Sequence, residues 1–294
     1  MVDSFLQYLR SEKRFSGHTL LAYENDMRQF VAYIEDSYEL EDLSIVNDKM
    51  VRSWLVQLND LGLSARSINR KLSTLKSFYR FNYKNGNLLK NPLVNIVGPK
   101  QEKRLPEFIE EKEMARLFDQ IEFEDSFKGR RDKMILDLFY QTGMRLAELT
   151  NLKVGDIDFS KKVLKVLGKR NKERMIPLHD GMLVELNKYL KERDSQVASG
   201  ELSLILNNKG NKCNEKFVYR TVNSYLSTIT LTTKKSPHII RHTFATHMLN
   251  RGADLNTIKE ILGHANLAAT QVYTHNSIDK LKAIYKQAHP KGQK

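Results

Sequence analysis

Cysteine is almost absent from this sequence: Cys213 is the single thiol in 294 residues. An internal disulfide framework is therefore excluded, which suits a reducing compartment. No partner motif surrounds Cys213, so it reads as a thiol without a role rather than a nucleophile or redox sensor. Long apolar runs are missing too. No stretch is long enough to span a bilayer. The opening residues, Met1-Val2-Asp3-Ser4-Phe5-Leu6, lack the basic segment and apolar run of a secretory leader. The expectation is a cytoplasmic protein without a membrane partner. Negative charge is also short: 35 acidic residues face 48 Lys and Arg, leaving +13. A basic surface concentrates polyanions, and phosphate contacts release counterions. Charge alone fits an ordinary lysine-rich protein equally well.

Apolar residues recur at helical spacing through the first hundred or so positions. Phe5, Leu6 and Leu9 form one stripe, and Leu20, Tyr23, Met27, Phe30, Val31 and Ile34 a second. A third helix is predicted from Lys49 to Leu61, with Val51, Trp54, Leu55 and Leu58 inward. A fourth is predicted from Ala65 to Tyr83, with Ile68, Leu72, Leu75, Phe78 and Tyr79 inward and Ser64 as N-cap. Its polar face carries Arg66, Arg70, Lys71, Lys76 and Arg80. That face is either simply solvated or lies in a DNA groove with its cations on phosphates.

Pro92, Pro99 and Pro106, with Gly98 and the charged run Lys100-Gln101-Glu102-Lys103-Arg104, interrupt the helical pattern. The boundary falls there: a helical domain over residues 1–98, a linker over 99–106 and a second domain over 107–294. In the second domain, helices are predicted from Glu110 to Gln120 and from Arg131 to Gln141. Asp156 to Leu167 alternates apolar and polar residues, and Arg174-Met175-Ile176 continues after the turn Gly168 to Glu173, which predicts an antiparallel hairpin. Helices resume from Asp180, interrupted near Leu204-Ile205-Leu206. The fold class expected is mainly α, with a small antiparallel β-sheet in the C-terminal domain.

Several segments carry chemistry. Thr142-Gly143 should end one helix and start the next, placing Arg145 where free backbone N–H groups already favour an anion. Its planar fork can grip a phosphate, although a surface pair with Glu148 would explain it as well. Lys169 follows Gly168 at a basic turn, with Lys172 close behind. Ser236-Pro237-His238-Ile239-Ile240-Arg241-His242 has a helix start, with Ser236 as cap, proline in the first turn and Gly252 as stop. His238 and Arg241 share a face there, and Ile240, Phe244 and Met248 form the buried stripe. His238 and His242 are spaced for a metal, but no zinc-protease glutamate or companion cysteine accompanies them; no metal or cofactor is expected. Gly263-His264 ends a short helix from Asn256, and Tyr273 follows nine residues later. Cations plus one hydroxyl nucleophile suit chemistry on a phosphodiester.

These motifs resemble the tyrosine site-specific recombinases, and the compact length is most similar to the bacterial Xer recombinases. The matching segments are Thr142-Gly143-Met144-Arg145-Leu146-Ala147-Glu148-Leu149, Gly168-Lys169, His238-Ile239-Ile240-Arg241-His242, Leu262-Gly263-His264, and Tyr273 followed by Thr274-His275. One departure is Arg170, where the commonest family pattern has glycine, which leaves Lys172 as the alternative to Lys169. The resemblance implies that Tyr273 attacks the scissile phosphate and that Arg145, Arg241 and His264 hold its charge. It implies that Lys169 protonates the leaving 5′-oxygen and His238 assists at the tyrosine. It makes Glu148 a buttress for Arg145 and leaves His242 and His247 structural or DNA-facing.

The same resemblance implies a two-domain DNA clamp and a homo- or hetero-tetramer on a double-stranded recombination site. A second Xer-type recombinase and a septal DNA translocase are its candidate partners, and chromosome dimer resolution its candidate role. The apolar stripe Ile278, Leu281, Ile284 and Tyr285 could fold on its own domain, but the resemblance favours docking on a neighbouring subunit. The rivals are a phage or mobile-element integrase of the same chemistry, a type IB topoisomerase, and a DNA-binding module with a dead site.

Overall fold

The computed structural model describes residues 1–101, 107–168, 172–198, 200–263 and 275–292, with the side chains of 275–280 outside the description. The chain divides into two compact units, Met1–Arg104 and Leu105–Lys294.

The first unit is four helices: α1 (Val2–Ser11), α2 (Gly17–Tyr38), α3 (Asp48–Asp60) and α4 (Ala65–Lys84). Three begin on a side-chain cap that accepts otherwise unpaired backbone N–H groups: Ser16 for α2, Asn47 for α3 and Ser64 for α4. The predicted stripes meet in one core, where Phe5, Met27, Phe30, Trp54, Leu75 and Phe78 are almost fully enclosed. Lys71 departs from the expected polar face. It is buried, and its Nζ lies 2.9 Å from Asp26 Oδ1. Asp26 also accepts from Arg70 and from the Thr74 hydroxyl at 2.9 Å. A buried carboxylate on α2 must be neutralised, and α4 turns two of its cations to that task.

The second unit surrounds α6 (Phe127–Thr142), whose buried positions run along its whole length from Gly129 to Thr142. Before it comes α5 (Glu111–Asp119), and after it α7 (Leu146–Asn151). A three-stranded antiparallel sheet follows, β1 (Ile157–Asp158), β2 (Val163–Leu167) and β3 (Glu173–Pro177), in the order β1-β2-β3. Leu164 pairs with Ile176 and Val166 with Arg174. The alternating stretch from Asp156 is therefore not one strand: the chain turns between β1 and β2, where Lys162 takes a left-handed φ of 54°. Helices α8 (Asp180–Gln196), α9 (Glu215–Ile229), α10 (Pro237–Asn250), α11 (Leu255–Leu262) and α12 (His275–Ala288) complete the unit.

The described apolar residues of α12 pack on the core of their own unit. Leu281, Tyr285 and Ala288 join the core. The physical reason lies at the end of α6, whose last carbonyls have no partner within the helix. Tyr285 Oη donates to the Gln141 carbonyl at 2.9 Å, and His289 Nε2 donates to the Tyr140 carbonyl at 3.1 Å. Lys291 Nζ then pairs with Asp137 on the same helix.

Candidate active site

The site is assembled where α6 stops. Gly143 caps α6 in the left-handed region, with φ 59°. A side chain there would lie 2.6 Å from the Phe244 ring and 2.7 Å from Leu262, so the packing of α10 and α11 demands glycine as much as the turn does. The turn delivers Arg145 to the N-cap of α7. Glu148, one turn into α7, folds back: its Oε2 accepts from the Arg145 backbone N–H at 2.7 Å and its Oε1 from Arg145 Nη1 at 2.8 Å. The Arg145 side chain stays about one-third exposed, 35%, while Glu148 is buried.

Arg241 comes from α10. Nη1 donates to the Gly143 carbonyl at 2.5 Å and Nη2 to the Leu262 carbonyl at 2.8 Å. Arg145 Nη2 donates to the next carbonyl, Gly263, at 3.3 Å. Two arginines from separate helices thus seize adjacent carbonyls at the end of α11. Each guanidinium has five N–H donors, and two are engaged in the bonds just described. Burial first, then the charges of Arg145 and Arg174, lower the pKa of Arg241 to about 10, against the opposing pull of Glu148. It remains a cation at neutral pH.

Arg174 was not singled out by sequence reasoning. It is buried on β3, and its Nη1 and Nη2 clasp both oxygens of Glu148 at 2.9 and 2.8 Å. Its Nε donates to the Ile261 carbonyl at 2.7 Å. The available signal was strand alternation, which puts Arg174 on the inward face with Ile176. Burial alone would raise the pKa of Glu148; the bonds and charge of Arg174 and the bonds of Arg145 outweigh it and hold the carboxyl at about 2.

His238 sits in the first turn of α10, exposed, three residues before the partly buried Arg241. Ser236 precedes that helix without a side-chain cap bond, contrary to expectation, and Pro237 occupies the first turn. The Ser236 carbonyl instead accepts from the backbone N–H groups of Ile239 at 3.0 Å and Ile240 at 3.4 Å. His247 is structural: Nδ1 lies 3.0 Å from the Tyr140 hydroxyl and Nε2 2.9 Å from the Ile109 carbonyl, both buried. Cys213 is buried, and burial pushes its thiol up to about 12, far from a reactive thiolate.

Lys169, His264 and Tyr273 lie outside the described residues. The residues that lead to two of them are placed. Gly168 donates to the Lys172 carbonyl at 2.8 Å, closing the hairpin at its base. A Cβ on Gly168 would stand 3.6 Å from Glu148 Oε1 and 3.7 Å from Arg174 Nη1. Gly263, left-handed at φ 66°, lies against Arg174, whose Cδ would be 3.1 Å from a Cβ there. The stems that precede Lys169 and His264 therefore both abut the arginine cluster.

Comparison with known proteins places this arrangement among relatives. Residues 107–279 match the phage integrase family, and residues 2–86 match the phage integrase N-terminal SAM-like domain. A tyrosine recombinase XerC of Staphylococcus saprophyticus is 40% identical over 292 residues, covering 99% of this chain and 98% of that protein. One from Chlorobaculum tepidum is 36% identical over 316 residues, covering 99% and 94%. Among solved structures, the XerH site-specific recombinase in a post-cleavage complex with palindromic difH substrate superposes with TM-score 0.74 at 22% identity, covering 97% of this chain and 80% of that one. The Tn1549 transposon integrase with circular intermediate DNA gives TM-score 0.71 at 20% identity, covering 94% and 96%. At those identities the structural likeness speaks to fold.

Proposed function

Since the chain belongs to the phage integrase family, we propose that it is a site-specific tyrosine recombinase that cuts and rejoins DNA strands, acting in chromosome dimer resolution. The observation that carries the chemistry is the convergence of Arg145 and Arg241 on the carbonyls of Gly263 and Leu262, the two residues that precede His264 in the sequence. Two fixed guanidinium groups beside one carboxylate favour a phosphodiester, and favour its transition state more, because negative charge accumulates there on the non-bridging oxygens. The 40% identity to XerC proteins across nearly all of both chains supports the chromosomal role over a mobile-element integrase.

In this reading Tyr273 forms the bond to phosphorus as the bond to the 5′-oxygen breaks. His238 helps take the tyrosine proton and Lys169 supplies one to the leaving oxygen. Arg145, Arg241 and His264 bind the charged oxygens. The resulting 3′-phosphotyrosyl link keeps the diester's energy, and attack by a 5′-hydroxyl from another strand restores tyrosine and completes the exchange. Residues 1–98 bind the duplex, 99–106 link, and 107–294 catalyse. Exchange of two duplexes calls for a homo- or hetero-tetramer, with a second Xer-type recombinase and a septal DNA translocase as partners in the cytoplasm.

Covalent trapping tests this proposal. Wild type and Tyr273→Phe are incubated with a nicked duplex carrying an Xer-type recombination site, with chelator present and a gel shift on the same DNA. A detergent-resistant adduct with wild type alone is expected. An adduct that persists in Tyr273→Phe overturns the nucleophile, and binding without any adduct overturns the activity on that site.

A further inference from the structure

We infer that Arg174 is a positioning residue for strand cleavage: through Glu148 it aims Arg145, and through the end of α11 it sets the turn that leads to His264. The inference rests on the recombinase reading of the site. Three features carry it. Arg174 is buried, 4% exposed, so it is walled off from a substrate. Among the described residues, its guanidinium bonds only groups that hold other members of the site: both oxygens of Glu148 and the Ile261 carbonyl. Its side chain also fills the space beside Gly168 and Gly263, the residues just before Lys169 and His264.

The division of labour follows from geometry. Glu148 offers each oxygen to both arginines: Oε1 to Arg145 Nη1 and Arg174 Nη1, Oε2 to the Arg145 backbone and Arg174 Nη2. A carboxylate held on one side by a parallel two-bond fork cannot rotate, so the bonds on its other side keep a fixed direction. Arg145 is the partly exposed member and Arg174 the enclosed one. Lysine at position 174 would keep the charge but not the fork, nor reach Glu148 and Ile261 together. The cost should then appear in the rate of the chemical step, where small misplacements are amplified, and not in affinity for DNA.

The test is single-turnover adduct formation on the nicked duplex, with DNA affinity measured in parallel, for wild type, Arg174→Lys, Glu148→Gln and the double variant. Arg174→Lys is expected to slow cleavage about a hundredfold with the dissociation constant nearly unchanged. The double variant should lose less than the product of the two single losses, because both act through one group. An unchanged rate, an affinity that falls in step with the rate, or fully multiplicative losses overturn the positioning role. If Arg174→Lys does not unfold cooperatively, Glu148→Asp replaces it, since it shortens the same link from the other end. That variant is held to the same split between rate and affinity. A wild-type protein that binds without forming an adduct overturns the activity on that site, on which this inference rests, whereas a wild-type adduct matched by Arg174→Lys overturns only this inference.

Discussion

Arg241 donates to the carbonyl of Gly143, two residues before Arg145, so one arginine of the site fixes the turn that presents the other. The consequence is electrostatic as well as geometric. Among the described residues, Arg145, Arg174 and Arg241 face a single carboxylate, Glu148, and Arg241 titrates low because it is buried among like charges. Folding therefore holds together cations whose repulsion a bound phosphate would relieve.

An oxyanion should relieve that repulsion without DNA. Sulfate or orthovanadate is expected to raise the unfolding temperature above that in chloride at equal ionic strength. A ligand at a hundred times its dissociation constant adds about 2.7 kcal/mol. Arg241→Gln should blunt the response in differential scanning calorimetry. An equal response in the variant would show that the anion binds elsewhere.

Glu148 predicts an acid dependence of stability. Its carboxyl sits at about 2 in the fold against an ordinary 4.5. Such a depressed carboxyl contributes stability above the unfolded value and loses it as pH falls through the folded one. The displacement corresponds to roughly 3 kcal/mol at neutral pH. Glu148→Gln should be less stable than wild type by an amount of that order at pH 7, and the gap should close between about 4.5 and 2. Urea unfolding at the two ends of that window reads it. A gap that persists at low pH would locate the loss in packing, not charge.

The sequence showed much of this in advance, for identifiable reasons. Helical spacing exposed the stripes of α2, α3 and α4, because one buried face imposes that period. Gly143 was legible as a helix stop and Arg145 as the residue at the next helix start, since both are local backbone facts. Arg174 was not, because its role is defined by Glu148 and Ile261, which are distant in sequence. Lys71 misled for the same reason: its spacing suggested a surface cation, and only Asp26 on another helix explains its burial. The seat of α12 depends on carbonyls at the end of α6, which no pattern within α12 reveals.

The two kinds of cation on α4 should separate in DNA binding. Arg66 and Arg80 are exposed, whereas Lys71 is buried against Asp26. Arg66→Ala or Arg80→Ala should weaken binding and reduce the slope of log affinity against log salt by about 1. Lys71→Met should leave that slope alone and destabilise the fold by about 1.5–3 kcal/mol, because Arg70 and Thr74 still hold Asp26. Fluorescence titration over a salt series and urea melts on the same proteins make the comparison. A reduced slope in Lys71→Met would put that lysine on DNA and contradict its burial.

The cis seat of α12 makes the tail part of the fold of its own unit. Ending the chain after Asp279 would strip Leu281 and Tyr285 from the core and leave the Tyr140 and Gln141 carbonyls without partners. Each large side chain lost removes about 1.5–3 kcal/mol of burial, so the truncated protein should melt several degrees lower and bind an apolar dye. His289 adds a pH signature. Burial lowers its pKa to about 3, from 6.5. An imidazole kept neutral in the fold contributes stability above its unfolded value and loses it as pH falls from about 6.5 toward 3. His289→Gln should flatten that part of the stability curve. A truncated chain that melts like the full one would mean that α12 adds nothing to its own unit, and the seat seen here would not be the one occupied in solution.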